Sequence, residues 1–194
     1  MNKTRKTIIC LVGPSGVGKT EIIKQITEKD AKNQNETKTK GIHERTRTTT
    51  TRKIRPNEPE DAYFFITKEQ FAKGIEEGIF LETAEYAGEM YGTSKFAVDS
   101  IIESGNIAMV AVDINGAKAY KEIYGDAVIT VFVYRDKRTV IEAIMNRNIP
   151  IEEKSRRIMQ LDNEYNNITY CDRCVINNGT IEDACKVVES FEFI

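Results

Sequence analysis

At 194 residues, with 40% hydrophobic and 30% charged side chains, the chain has the length and composition of one globular domain with a substantial core. Its 28 basic and 30 acidic residues leave a net charge of −2, so no basic excess points to a nucleic-acid partner. No apolar run approaches a membrane span, and the short one behind the basic start reads as a buried first strand and not a signal peptide; no membrane partner and a cytoplasmic location are expected.

That first strand is Ile8-Ile9-Cys10-Leu11-Val12, and it runs into Gly13-Pro14-Ser15-Gly16-Val17-Gly18-Lys19-Thr20. The octapeptide fits G-x-x-x-x-G-K-[ST] at every defined position and lies where that motif must lie, between a strand and a helix. Glycines let the backbone curl so that several N–H groups converge on a polyphosphate, and the helix starting near Lys19 adds its positive end. Lys19 would reach the outer phosphates and the Thr20 hydroxyl would ligate Mg²⁺, so a nucleoside triphosphate site is expected.

Ile22, Ile23 and Ile26 then have the spacing of a core-facing helix over 20–29, followed by a polar loop over 31–40. Residues 45–55 gather Arg45, Arg47, Arg52 and Arg55 among five threonines, an extended segment read as a second anion site because guanidinium forks suit a phosphate monoester. A strand is expected over 62–66 and a helix over 68–78 with Phe71 and Ile75 on one face. Residues 80–82 and 84–86 read as extended, 88–93 as a turn leading into a strand or helix, and 96–104 as helical with Val98, Ile101 and Ile102 inward. The run over 107–113 reads as a buried parallel strand ending in Asp113, the Walker-B pattern that places a carboxylate near Mg²⁺.

A helix over 117–124, a strand over 127–133 and helices over 135–148 and 151–166 follow, with the break at Arg147-Asn148-Ile149-Pro150 able to hinge a lid. A last strand over 174–177 and a helix over 181–191 close the chain. Strands alternating with helices predict an α/β fold: a three-layer α/β/α P-loop NTPase with a parallel central sheet and ligands at the strands' C-terminal ends. The lone pair Cys171 and Cys174 has no second pair and only one histidine, His43, in the chain. It reads as ordinary thiols and not a zinc site.

Taken together these residues resemble the guanylate kinases, nucleoside monophosphate kinases of the P-loop class. The resemblance runs from Ile8 to about Phe191. It rests on the P-loop, Thr50-Thr51-Arg52 with Arg55-Pro56 and Glu58, Tyr63-Phe64-Phe65, Phe80-Leu81-Glu82, Tyr91-Gly92-Thr93-Ser94, and the later Arg157 and Asp172 to Asn177. It implies a single domain whose core is about 1–44, 96–134 and 158–194, with an acceptor-binding lobe over about 45–95 and a lid over about 135–157. It also implies transfer of the γ-phosphoryl group of Mg·ATP to GMP or dGMP.

Carried over by position, the P-loop residues and Asn177, which matches an asparagine near the adenine, bind ATP. Arg52, Arg55, Tyr63 and Tyr91 hold the acceptor phosphate. Glu82 accepts from guanine N1–H and the exocyclic amine, with Thr48 and Thr93 supplying hydroxyls to the base and Asp113 near the acceptor and the metal. Lys19, Arg52, Arg147 and Arg157 are the candidate catalytic cations, and Arg135 is a further lid candidate.

Four departures accompany the match. The strand ends Ala111-Val112-Asp113 where the family has Asp-x-Asp, the segment 30–47 is long and polar, the span from Glu58 to Tyr63 is short, and the lid has Arg147-Asn148 where Arg-Gly is common. They leave open a P-loop kinase for another phosphorylated acceptor, such as ribose 1,5-bisphosphate, or a non-catalytic phosphopeptide-binding module.

Overall fold

A computed structural model describes residues 7–33, 41–54, 58–86 and 88–192. The apolar runs read as strands build one parallel sheet, β1 (Ile8–Val12), β2 (His43–Arg45), β7 (Ile107–Ala111), β8 (Val128–Tyr134) and β9 (Arg173–Ile176), in the order β2-β7-β1-β8-β9. Alternation along each strand divides its side chains between two cores. Ile9, Leu11, Met109, Val131 and Val175 face one side and pack against α1 (Lys19–Lys32), α5 (Lys137–Met145), α6 (Ile151–Asn166) and α7 (Ile181–Glu189). Ile8, Cys10, Val12, Val110 and Phe132 face the other, against α3 (Lys95–Glu103) and α4 (Ile114–Tyr124). Strands buried on both faces account for the continuous apolar runs, and the result is the expected α/β/α sandwich.

A second sheet is inserted between β2 and α3, with β3 (Thr49–Thr50), β4 (Phe64–Phe65), β5 (Phe80–Tyr86) and β6 (Glu89–Ser94) in the order β4-β3-β6-β5. Its helix α2 (Lys68–Glu76) starts with a capping box between Thr67 and Gln70. Phe71 stacks on Phe80 at 4.4 Å, and Gly74 and Gly92 leave the room those rings need.

Several boundaries differ from the sequence expectation. The turn expected over 88–93 is instead strand β6, because its residues ladder with β5 behind a tight turn in which Gly88 has φ 76°. Ile75 is exposed and Gly74 takes the buried place beside Phe71. The strand expected over 107–113 stops at Ala111, because Asp113 turns its carboxylate to cap α4, accepting from Gly116 N–H at 2.8 Å. Helix α1 runs on to Lys32, so the polar loop begins later than expected, and its residues 34–40 lie outside the described ones.

The edge strand β2 is pinned to α1: Asp30 Oδ2 accepts His43 N–H at 2.8 Å and lies 2.7 Å from His43 Nδ1. That fixes Arg45, paired in register with Met109, at the C-terminal end of the sheet.

Candidate active site

The C-terminal ends of β1, β2 and β7 converge on the P-loop. Gly13, Gly16 and Gly18 have φ of 139°, 101° and 99°, conformations that L side chains rarely adopt. Two of them are also closed to a Cβ by their neighbours. At Gly13 it would lie 2.7 Å from the Val133 carbonyl, and at Gly18 2.5 Å from Asn177 Nδ2. Asn177 is buried and donates from Nδ2 to the Val17 carbonyl at 2.8 Å, bracing the loop from beneath.

Lys19 folds back, donating from Nζ to the Gly13 and Pro14 carbonyls, the latter at 3.0 Å. Burial pulls its pKa down to about 8, with Arg147 and Arg157 adding to the effect and Glu164 and Asp113 opposing it.

The lid candidates meet the loop at one atom. Ser15 Oγ accepts from Arg147 Nη1 at 2.9 Å and from Arg157 Nη1 at 2.6 Å. Arg157 also donates from Nε to Glu153 at 2.9 Å, and burial lowers its pKa. The backbone carbonyl of Arg135, the other lid candidate, accepts from the Tyr165 hydroxyl at 2.5 Å, and no hydrogen bond joins its side chain to the P-loop among the described residues. Glu164, not singled out in the sequence, accepts from Ser15 N–H. Burial raises its pKa, opposed by Lys19, that backbone bond and Arg157. The signal for it was the stripe Glu153, Arg157, Leu161, Glu164, whose 4-4-3 spacing lies on one face of α6.

In the second sheet Glu82 and Thr93 are cross-strand partners, and Thr93 Oγ1 donates to Glu82 Oε1 at 2.9 Å. Burial raises the Glu82 pKa; Thr93 opposes this and Asp113 adds to it. Arg52 is held in a fork by Glu58, at 2.7 and 3.0 Å, hydrogen-bonds Tyr91 and lies over the Tyr63 ring at 5.4 Å. Tyr63 and Tyr91 meet edge to face at 6.2 Å. Glu58 thus sets the direction of Arg52. Arg55 lies outside the described residues.

Thr20, Thr48 and Tyr63 line one cleft of about 110 Å³ together with Arg45, Thr46 and Ala111. Thr20 is exposed on the first turn of α1, and Asp113 Oδ2 has no hydrogen bond among the described residues. One hydroxyl and one carboxylate suit a hard cation such as Mg²⁺, which keeps several waters and takes its other ligands from phosphate. Neither Cys171 nor Cys174 lines that cleft: burial pushes Cys171 up to about 11 and raises Cys174, so both stay thiols near neutral pH.

Comparison with known proteins bears on the acceptor classes left open above. The profile of the guanylate kinase family matches residues 4–192. The chain belongs to the guanylate kinase family. It is 32% identical over 189 residues to the guanylate kinase of Prochlorococcus marinus strain MIT 9312, covering 96% of this chain and 97% of that one. It is 33% identical to the guanylate kinase of Thermotoga maritima over 189 residues, covering 94% and 83%. The crystal structure of guanylate kinase from Anaplasma phagocytophilum superposes with a TM-score of 0.68 over 97% of this chain and 85% of that one. Its 19% identity speaks to the shared fold alone. As a guanylate kinase family member the chain is a nucleoside monophosphate kinase, and ATP-dependent phosphorylation of GMP is the activity of the family. Among the described residues, no helix is long and apolar enough to cross a membrane.

Proposed function

We propose that this guanylate kinase family member transfers the γ-phosphoryl group of Mg·ATP to GMP or dGMP, giving ADP and GDP or dGDP. The observation that carries the reading is the shared cleft, in which Thr20 of the P-loop helix faces Thr48 and Tyr63 of the inserted lobe. Donor and acceptor phosphates held by these two walls would meet there.

The acceptor is already an anionic phosphate oxygen, so the reaction needs positioning and charge neutralisation and no strong base. On this reading residues 13–20 cradle the ATP phosphates while Asn177 holds the loop in shape. Lys19 leaves the Gly13 and Pro14 carbonyls for the outer phosphates, whose negative charge favours its protonated form. Arg147 and Arg157 leave Ser15 for the same phosphates as the lid over about 135–157 closes and excludes water. Bound Mg²⁺ would neutralise charge on the β- and γ-phosphates, with Thr20 and Asp113 as the residues that hold it.

In the lobe over about 45–95, Arg52, Arg55, Tyr63 and Tyr91 grip the acceptor phosphate, and Glu82, Thr48 and Thr93 read guanine. A carboxylate at Glu82 matches the N1–H and amino donors of guanine and leaves adenine, an acceptor at N1, unpaired.

The test is Glu82→Gln. Its amide keeps one acceptor but turns a donor toward a guanine donor. KM for GMP should rise at least about tenfold, with KM for ATP within about twofold. Equal rises in both would remove Glu82 from the base site.

A further inference from the structure

The cleft beneath Tyr63 holds two groups that the catalytic scheme above leaves unused. Arg45 is the last residue of β2, anchored to the core sheet opposite Met109, and its guanidinium lies over the lobe's Tyr63 ring at 5.4 Å. Arg52 reaches the same ring at the same distance. Thr46, the next residue, donates its backbone N–H to Met109 O at 2.9 Å. Its side chain is only 2% exposed, yet its hydroxyl oxygen has no hydrogen-bond partner among the described residues. A buried hydroxyl without a partner is destabilising, so its persistence points to something that fills the site.

The rest of the lining is consistent with one kind of occupant. Thr20, Thr48 and Tyr63 bring three more hydroxyls; Ile23, Met109, Val110 and Ala111 complete the wall. Arg45 is the one charged group among these described lining residues, and no carboxylate faces it there. No ion pair of Arg45 occurs among the described residues. A lone cation among hydroxyl donors in a concave, otherwise uncharged wall is complementary to an oxyanion. Ala111 matters here because a longer acidic side chain at that position would neutralise Arg45.

We propose that Arg45 and Thr46 form a phosphate-binding subsite that takes an oxygen of the acceptor monophosphate, adding a core-anchored cation to the lobe's Arg52. The subsite rests on the reading of the cleft as the acceptor phosphate's seat. Because β2 belongs to the core and Tyr63 to the lobe, a phosphate held there is tied to both walls at once. Arg45 then recognises the phosphate and is indifferent to the base.

Titration calorimetry with GMP, and competition by guanosine, on the wild-type protein, Arg45→Gln, Arg45→Lys and Thr46→Val test this. Loss of a charge-assisted bond should weaken GMP binding by Arg45→Gln about 10- to 100-fold, with guanosine and ATP unchanged within about twofold. Arg45→Lys keeps charge without the fork and should fall between. Thr46→Val, which keeps the shape, should lose about 3- to 10-fold for GMP. Equal losses for GMP and guanosine, a parallel loss for ATP, or GMP affinity unchanged in both Arg45→Gln and Thr46→Val would overturn the subsite. Wild-type protein that binds ATP but not GMP would instead overturn the reading on which it rests.

Discussion

Replacing Gly18 by alanine should damage the P-loop through two separable costs. Gly18 sits at φ 99° as the N-cap of α1, and a non-glycine residue in that region costs about 1–2 kcal/mol. The new Cβ would stand 2.5 Å from Asn177 Nδ2, which must then leave the Val17 carbonyl it holds at 2.8 Å. Losing that buried bond costs about 1–3 kcal/mol more, so Gly18→Ala should lose about 2–5 kcal/mol in all. Asn177→Ala alone should lose about 1–3 kcal/mol. With the amide already gone, Gly18→Ala has nothing left to displace and should add only its backbone cost of about 1–2 kcal/mol.

Urea unfolding of the wild type, both single variants and the double variant reads this as a cycle, and the double should be more stable than additivity gives by about 1–3 kcal/mol. Strict additivity would refute the clash with Asn177. A Gly18→Ala protein within about 0.5 kcal/mol of wild type would refute both costs.

Further outcomes follow from the same geometry. Lys19 loses its proton in the free protein as pH rises through about 8, so kcat/KM for ATP should fall there while kcat at saturating ATP stays level. A flat kcat/KM profile well above that pH would contradict a charged Lys19 in ATP capture. Ser15→Ala removes the shared acceptor of Arg147 and Arg157 and should cost about 1–2 kcal/mol of stability in the absence of nucleotide. With saturating Mg·ATP that difference should shrink, because the guanidiniums then hold phosphate; an undiminished difference would show that they do not transfer. Burial holds the Glu82 pKa above the ordinary carboxylate value. On acidification the wild type should therefore lose affinity for guanosine, which carries no titrating phosphate, above the ordinary carboxylate range, and Glu82→Gln should show no such loss.

The parts of this protein legible from sequence are those whose chemistry is local or whose spacing is rigid. A P-loop needs its glycines and its Lys-Thr at set intervals, and a parallel strand covered on both faces must be apolar throughout, so Ile8–Val12 and Val128–Tyr134 announce themselves. The lobe was harder to read. Strand β6 contains Gly92, which weakens a strand by itself and is tolerated because Phe71 and Phe80 occupy the space a side chain would fill. Ile75 looked inward by spacing, but Gly74 faces Phe80 and admits a closer approach than isoleucine would. Asp113 looked like a strand end because a carboxylate after an apolar run gives no hint of whether it points to a metal or caps the next helix. Within the site, Lys19, Glu82 and the tyrosines were named from their motif positions. Arg45 and Thr46 were only part of a basic, hydroxyl-rich stretch until pairing with β7 set them at the sheet's C-terminal end. Glu164 shares a 4-4-3 stripe of α6 with Glu153 and Arg157, but the stripe alone does not give its meeting with Ser15, which depends on how α6 packs against the P-loop.

The central claim is that both walls of the cleft between α1 and the lobe serve one phosphoryl transfer onto a guanine nucleotide. Its most direct test is ADP release from Mg·ATP with GMP, dGMP, AMP, CMP, UMP and ribose 1,5-bisphosphate offered in turn. Turnover with GMP and dGMP alone is the expected result. Turnover with another acceptor in their place, or ATP binding with no turnover on any of them, would contradict it.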